Sequence, residues 1–408
     1  MGVYDGELRT VTSCEPCPEG TFTAEANQTS CADWYRCSIA EQLVTAGTST
    51  TDATCEPRLI GSGDDVAAYA LVATEDGLWV AGTNESEGFV STVSFDGLEE
   101  VVLTIADARP TELALVGGDT LVVAGTIESD VFLRRLTLTG DELWAVRFGS
   151  DETDYVAAVA EGPNDSVYLA GGTGGDLDGA GAGPFVRQYD ATGNLLQNIV
   201  VDGPYLSDMT ANKEGAIYLT FATADPDGRV SSFLRALDED GVPVWEVGPE
   251  ELGCRECSEL FATADGDLYV AGRNLGDFGG DPDTGPASDV SLARVAPSGE
   301  VRWKSIVSYA PSDVVEALVV TDDGAQVFGS TYLDSGSESL AEAIAFRFGP
   351  DGEQLSLELR EGPEHDQIQA ATATPTGDVF VAGITATSGQ LFPFVRHAFV
   401  VAWPPTPP

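Results

Sequence analysis

The sequence predicts an all-β chain: a seven-bladed β-propeller of four-stranded antiparallel blades, preceded by a small disulfide-rich module. Three observations carry that prediction. A segment of related wording recurs seven times after residue 58, each recurrence holds four short runs rich in β-branched and aromatic residues, and five of the seven cysteines fall within the first 55 residues. At 408 residues the chain is also too long for one ordinary core, which stops growing near ~250–300 residues, whereas a ring of repeats grows by adding interfaces.

Residues 1–56 make the first unit. Cys14, Cys17, Cys31, Cys37 and Cys55 lie here among Gly, Thr, Ser and Pro, with no apolar run large enough for a core, so the segment folds only if stapled. Stapling of this kind needs an oxidising compartment. A zinc site would want a second close ligand pair, and Cys31 and Cys37, with no histidine near them, do not supply one. The wording CPEGTFTAEANQTSCADWYRC followed by GTSTTDATC, within residues 17–55, resembles a cysteine-rich repeat of the tumour necrosis factor receptor type. That resemblance implies the disulfides Cys17–Cys31 and Cys37–Cys55. Both cysteines of a further family bridge are missing together, Trp34 standing at one position and Ala46–Gly47 at the other. Cys14 is left over where the last cysteine of a preceding module would be, which implies a signal peptide upstream and an extracellular or cell-surface location.

From Pro57 onward the chain repeats. ALVATEDGLWVAGT (70–83), LALVGGDTLVVAGT (113–126) and AVAEGPNDSVYLAGGT (158–173) line up with 209–223, 260–273, 317–331 and 371–385. After each comes a variable stretch, then an apolar strand closed by a turn glycine at 97, 140, 193, 241, 299 and 352, and then a fourth run. Asp-Gly, Gly-Asp and Ser-Gly pairs between the runs suit tight hairpins, and four antiparallel strands per repeat of this length make a propeller blade. The first run of each copy is rich in Ala, Val and Thr, as a strand crowded near the axis must be; Trp144, Trp245 and Trp303 recur on the fourth run, where blades diverge. The seventh copy is one strand short before Pro404-Pro405-Thr406-Pro407-Pro408, which reads as the start of a Pro-rich linker (404–408). Residues 57–63 stand in the place of the missing strand. The predicted domains are therefore 1–56, a ring over 57–403, and 404–408. The repeat wording resembles the bacterial seven-bladed propeller repeat family of the SBBP type, best at 155–199 and 367–402, with Phe221 replacing the repeat glycine in the fourth copy. The family implies the fold and carries no assigned activity.

Chemistry is sparse along this chain. The two histidines, His365 and His397, and the two lysines, Lys213 and Lys304, leave little for a His-based or Lys-based mechanism. The long acidic loops offer Asp176 and Asp178, Asp225 and Asp227, and Asp281 and Asp283, carboxylates two apart beside glycine or proline that suit the oxygen shell of calcium. The same residues make ordinary solvated turns. Cys254 and Cys257 precede a strand rather than a helix, which favours a local disulfide over a redox motif. A Gly-x3-Trp spacing at 140–144, 241–245 and 299–303 resembles the tryptophan turns of quinoprotein dehydrogenases, but the ligand set expected around a quinone is absent. No organic cofactor is expected, and calcium is the one ion for which the loops provide ligands.

Nineteen Lys and Arg against 67 Asp and Glu give a formal charge of −48, a field that repels phosphate backbones and anionic headgroups. Nucleic acid is excluded as a partner, and no apolar run is long enough for membrane insertion within this chain. The expected function is a non-catalytic extracellular interaction, adhesion or display module with a protein or glycan ligand. The rival is a propeller lyase or hydrolase using carboxylates, with or without calcium, at the tunnel mouth. Several carboxyl groups of raised pKa converging with a Tyr or Arg in a pocket would favour the rival.

Overall fold

The computed structural model describes residues 54–61 and 65–403 apart from 96–98, 204, 225–229, 276–287, 311, 333–340, 361–364 and 387–395, together with the short strands Tyr4–Asp5, Arg9–Thr10, Thr21–Phe22, Ala32–Asp33 and Glu41–Thr45. Strands dominate: the helical turns among the described residues are a 3₁₀ turn at Pro163–Asp165 and a single α-turn at Pro249–Leu252. Six four-stranded sheets follow one another, each ordered as the chain runs from first to fourth strand. The first strands are Val66–Ala73, Ala108–Val116, Asp154–Glu161, Tyr205–Ala211, Glu256–Ala262, Ser312–Thr321 and His365–Ala373. They pack side by side in that order, and the last packs against the first, so the seven sheets close into a ring. The seven-bladed, four-stranded architecture expected from the repeats is the one observed.

The seventh blade takes its fourth strand from the other end of the chain. Thr54–Ile60 pairs antiparallel with Arg396–Ala402, in the register Ala398↔Ile60, Phe399↔Leu59 and Val400↔Arg58. A further strand, Glu41–Thr45, pairs along the outside of Thr54–Ile60, making this sheet five-stranded. Closure removes the open edge that a half-finished blade would present. Ile60, 1% exposed, sinks into the core between the last and first blades beside Val66, Leu78, Phe380 and Val400.

That core is one of seven, each lying between two adjacent blades. Sheets covered on both faces explain why the second strands read as unbroken apolar runs, such as Leu121-Val122-Val123-Ala124, rather than alternating. Between blades the contacts repeat as well. Trp144, Trp245 and Trp303 on fourth strands each donate an indole N–H to a carbonyl in the last turn of the next blade, at Ala191 (3.0 Å), Pro297 (2.9 Å) and Pro350 (2.9 Å). Their rings lie over Gly193, Gly299 and Gly352, whose φ values of 87°, 87° and 83° belong to glycine and whose missing Cβ leaves the ring its seat. Val102 over Gly140 and Ile199 over Gly241 fill the same role with aliphatic bulk. The Gly-x3-Trp wording is thus a joint between blades.

Each first strand carries a β-bulge at its centre, at Tyr69, Thr111, Ala157, Ser207, Ser258, Glu316 and Gln369. Opposite six of the bulges stands the glycine of the repeat wording: Gly82, Gly125, Gly171, Gly272, Gly329 and Gly383. A Cβ there would fall 1.7–2.1 Å from a first-strand carbonyl oxygen, so glycine is what lets the bulged backbone approach. The fourth blade has Phe221 at this position, stacked on Phe233 at 5.6 Å.

Candidate functional site

A bulge re-aims side chains, and here every bulge residue lies at the ring axis, joined in the second, fourth and fifth blades by the acid that follows it. A cavity of about 360 Å³ lies there, lined by residues from all seven first strands, a condition that only the axis meets. Its polar lining is Tyr69, Thr111, Glu112, Ser207, Asp208, Ser258, Glu259, Glu316 and Gln369. Leu71, Leu113, Leu318 and Ala371 border it with hydrocarbon. No Lys, Arg or His is among the lining residues.

Four carboxyl groups therefore share one void without a basic side chain in it. Each keeps some accessible surface because it faces the void, yet protein surrounds it. Burial pushes Asp208 up to about 7. Glu112 is raised by burial and by Asp208, and Glu259 by burial and then by Asp208, Glu112 and Glu316. Glu316 is raised by burial alone, with the Arg273 guanidinium pulling the other way. The carboxylate of Asp208 accepts the backbone N–H groups of Met209 and Leu260, each at 2.6 Å, which ties the fourth blade to the fifth. The carboxyl groups of Glu112 and Glu259 make no hydrogen bond or ion pair with a described residue.

Around the bulges, Arg109 stacks over Tyr69 at 4.5 Å, Tyr155 stacks on Tyr205 at 5.2 Å, and Arg273 of a second strand pairs with Glu256. The Tyr155 hydroxyl accepts the Leu206 N–H at 3.1 Å and, with burial as the larger cause, is pushed up to about 12. Nucleophilic catalysis has little to work with here: Ser258 donates its hydroxyl to the Val315 carbonyl at 3.3 Å, and no histidine or lysine lines the cavity.

The raised carboxyl groups make stability depend on pH with an unusual sign. The folded chain holds protons that the unfolded chain has already released above about pH 4, so stability falls as pH climbs towards the folded pKa values. For Asp208, from 3.8 to about 7, the loss is on the order of 4 kcal/mol and complete above neutrality. The double substitution Glu112→Gln and Glu259→Gln should leave Tm unchanged at pH 4 and raise it by several degrees at pH 8. Measured in 0.5 M NaCl, which screens the acidic surface but not the void, an unchanged pH profile in the variant would refute the assignment.

None of these four acids was singled out by the sequence reading, although the signal is present. TELALV, LSDMTA, CSELFA and VVEALV each set one acid inside an otherwise small or apolar first strand, where a charge is rarely tolerated without purpose. The acids that were singled out lie elsewhere. Asp176 accepts the Gly181 N–H at 2.7 Å, Asp178 pairs with Arg187, and Leu177 between them is 4% exposed and plugs the core of the second and third blades. Asp225, Asp227, Asp281 and Asp283 lie outside the described residues. Among the described residues no group of three or more His, Cys, Asp or Glu has metal-holding geometry. Cys254 and Cys257 form a disulfide, both buried, at the entry to the fifth blade. Cys14, Cys17, Cys31 and Cys37 fall outside the described residues, and Cys55 lies on the closing strand, where only the backbone is described. No described helix is long and apolar enough to cross a membrane.

No family model matches the chain, and no curated protein matches it. Among solved structures, the chain is similar to the uncharacterized protein lmo1340 from Listeria monocytogenes EGD-e, at a TM-score of 0.49 and 9% identity over 83% of this chain and 100% of that one.

Proposed function

We propose that this chain is a non-catalytic binding module of the extracellular space or cell surface, and that its ligand site is the axial cavity. The observation that carries the reading is a void lined from all seven blades and rich in hydrogen-bonding groups, with two carboxyl groups that have no partner among the described residues. Buried polar groups are normally satisfied, so a set held open on the axis is matched by something that enters. The wording that resembles SBBP-type repeats, the disulfide Cys254–Cys257 and the cysteine-rich first 55 residues support a secreted setting. The rival enzyme reading is favoured by Asp208, whose pKa of about 7 suits a general acid at neutral pH.

Filling the cavity separates these readings from an inert ring. Ala157 lines the void from the third blade, and Ala157→Leu would occupy part of it. In a thermal-shift and calorimetric panel of an aliphatic diamine, a hexose and a dicarboxylate, the parent chain should bind one class saturably and the filled variant should bind it at least tenfold more weakly. Equal behaviour of the two chains across the panel would refute the axial site. Turnover of the bound probe would replace the binding module with the enzyme.

A further inference from the structure

The axial cavity has a polarity that its overall acidity hides. The carboxyl groups come from the second blade (Glu112) and from three consecutive blades, the fourth to sixth (Asp208, Glu259, Glu316). In a ring of seven, the second blade stands across the axis from the fifth and sixth. Acid therefore sits on opposite walls of the void, with Leu71, Leu113 and Leu318 beside it. We infer that the cavity takes a linear aliphatic diamine or polyamine, one ammonium group against Glu112 and the other against the Asp208, Glu259 and Glu316 side. This inference rests on the axial site proposed above.

Two features favour an organic cation over a metal ion. The four carboxyl groups are spread round a void of about 360 Å³ rather than drawn to coordination distance, and no described group of acids has metal-holding geometry. The aliphatic border would also contact methylene carbons, which a hydrated metal ion does not offer. A neutral polyol would satisfy the hydrogen bonds but would do nothing to offset the repulsion that builds up as these acids ionise. A diammonium ligand supplies the missing countercharge in a setting of low dielectric, where ion pairs are strongest. The titratable groups facing the void are Tyr69, Glu112, Asp208, Glu259 and Glu316, with Arg273 acting on Glu316 and Arg109 over Tyr69. Burial and mutual repulsion make these carboxyl groups keep protons longer than free acids do, so a diammonium must displace those that remain. Binding should tighten as pH rises and should release protons.

The test is calorimetry on the full chain in 0.3 M NaCl at pH 6 and pH 8, with 1,4-diaminobutane as the probe and butylamine, 1,4-butanediol and CaCl₂ as comparisons. High salt is needed because an acidic surface attracts any amine weakly. The expected result is one saturable site for the diamine, at least tenfold tighter than butylamine and tighter at pH 8. Its enthalpy should vary with the ionisation enthalpy of the buffer. Glu112→Gln and, independently, Glu259→Gln should each weaken it at least tenfold, whereas exposed Glu75→Gln should not change it; Tm of each variant shows that it is folded. If butanediol binds as tightly, the cavity remains a ligand site and the cationic ligand is wrong. Saturable CaCl₂ binding without diamine binding overturns it in favour of a metal. If no probe binds and Ala157→Leu behaves as the parent, the diamine inference and the axial site fall together.

Discussion

Deleting residues 1–63 should lower Tm by on the order of 10 °C or leave an aggregating protein, while deleting 1–53 should cost far less. The longer deletion removes the strand Thr54–Ile60, opens Arg396–Ala402 as a bare edge and empties the Ile60 site between the last and first blades. Burying an Ile side chain stabilises by roughly 2–3 kcal/mol, and the lost ladder bonds and the edge add to that. The shorter deletion keeps the closing strand and, from that sheet, removes only the outer strand Glu41–Thr45. Thermal melts with light scattering distinguish the two; equal behaviour would show that the ring does not depend on its N-terminal strand.

Alanine at Gly329 should destabilise the ring by about 3 kcal/mol or more, and alanine at Gly377 by about 1 kcal/mol, although both are the same one-methyl change. A Cβ at Gly329 would lie 1.7 Å from the Val314 carbonyl oxygen, so the first and second strands of the sixth blade must part at their bulge. At Gly377 nothing lies within 4 Å, and the cost is only that of a φ of 89°. Denaturant melts give both values. A Gly329→Ala chain as stable as Gly377→Ala would mean that the repeat glycine marks a hairpin and nothing more. Because the bulge at Glu316 faces that glycine, the damaging change should also weaken whatever the cavity binds.

The blades were legible because their signals are local. Hairpin turns, the repeat glycine and the small first strands recur with a fixed order, and each has a short-range cause. Trp144, Trp245 and Trp303 were legible as bulk on the fourth strand, but their partner turns lie 47 to 52 residues further on, and no local pattern announces that pairing. The cavity was hidden for a related reason. Alternation along a strand assigns Glu112 or Glu259 to one face or the other, and the bulge that redirects them is a register shift with the second strand. What these acids do depends on meeting three others from separate blades, a convergence that only the closed ring creates. The loop aspartates drew attention because their spacing is visible in one dimension; Asp178 proved to serve Arg187.

The antiparallel register of the closing strand also sets how the ring would respond to tension. With Arg58 opposite Val400 and Ile60 opposite Ala398, the incoming chain before residue 54 and the outgoing chain after residue 403 leave the same end of the strand pair. A pull between those two points does not share its load among the ladder bonds. It concentrates on the outermost bond, then the next, so the seam unzips at modest force while the other six blades, which carry no load until it opens, stay folded. A molecule tethered at both ends would give way at one defined place and could close again there when the force is released.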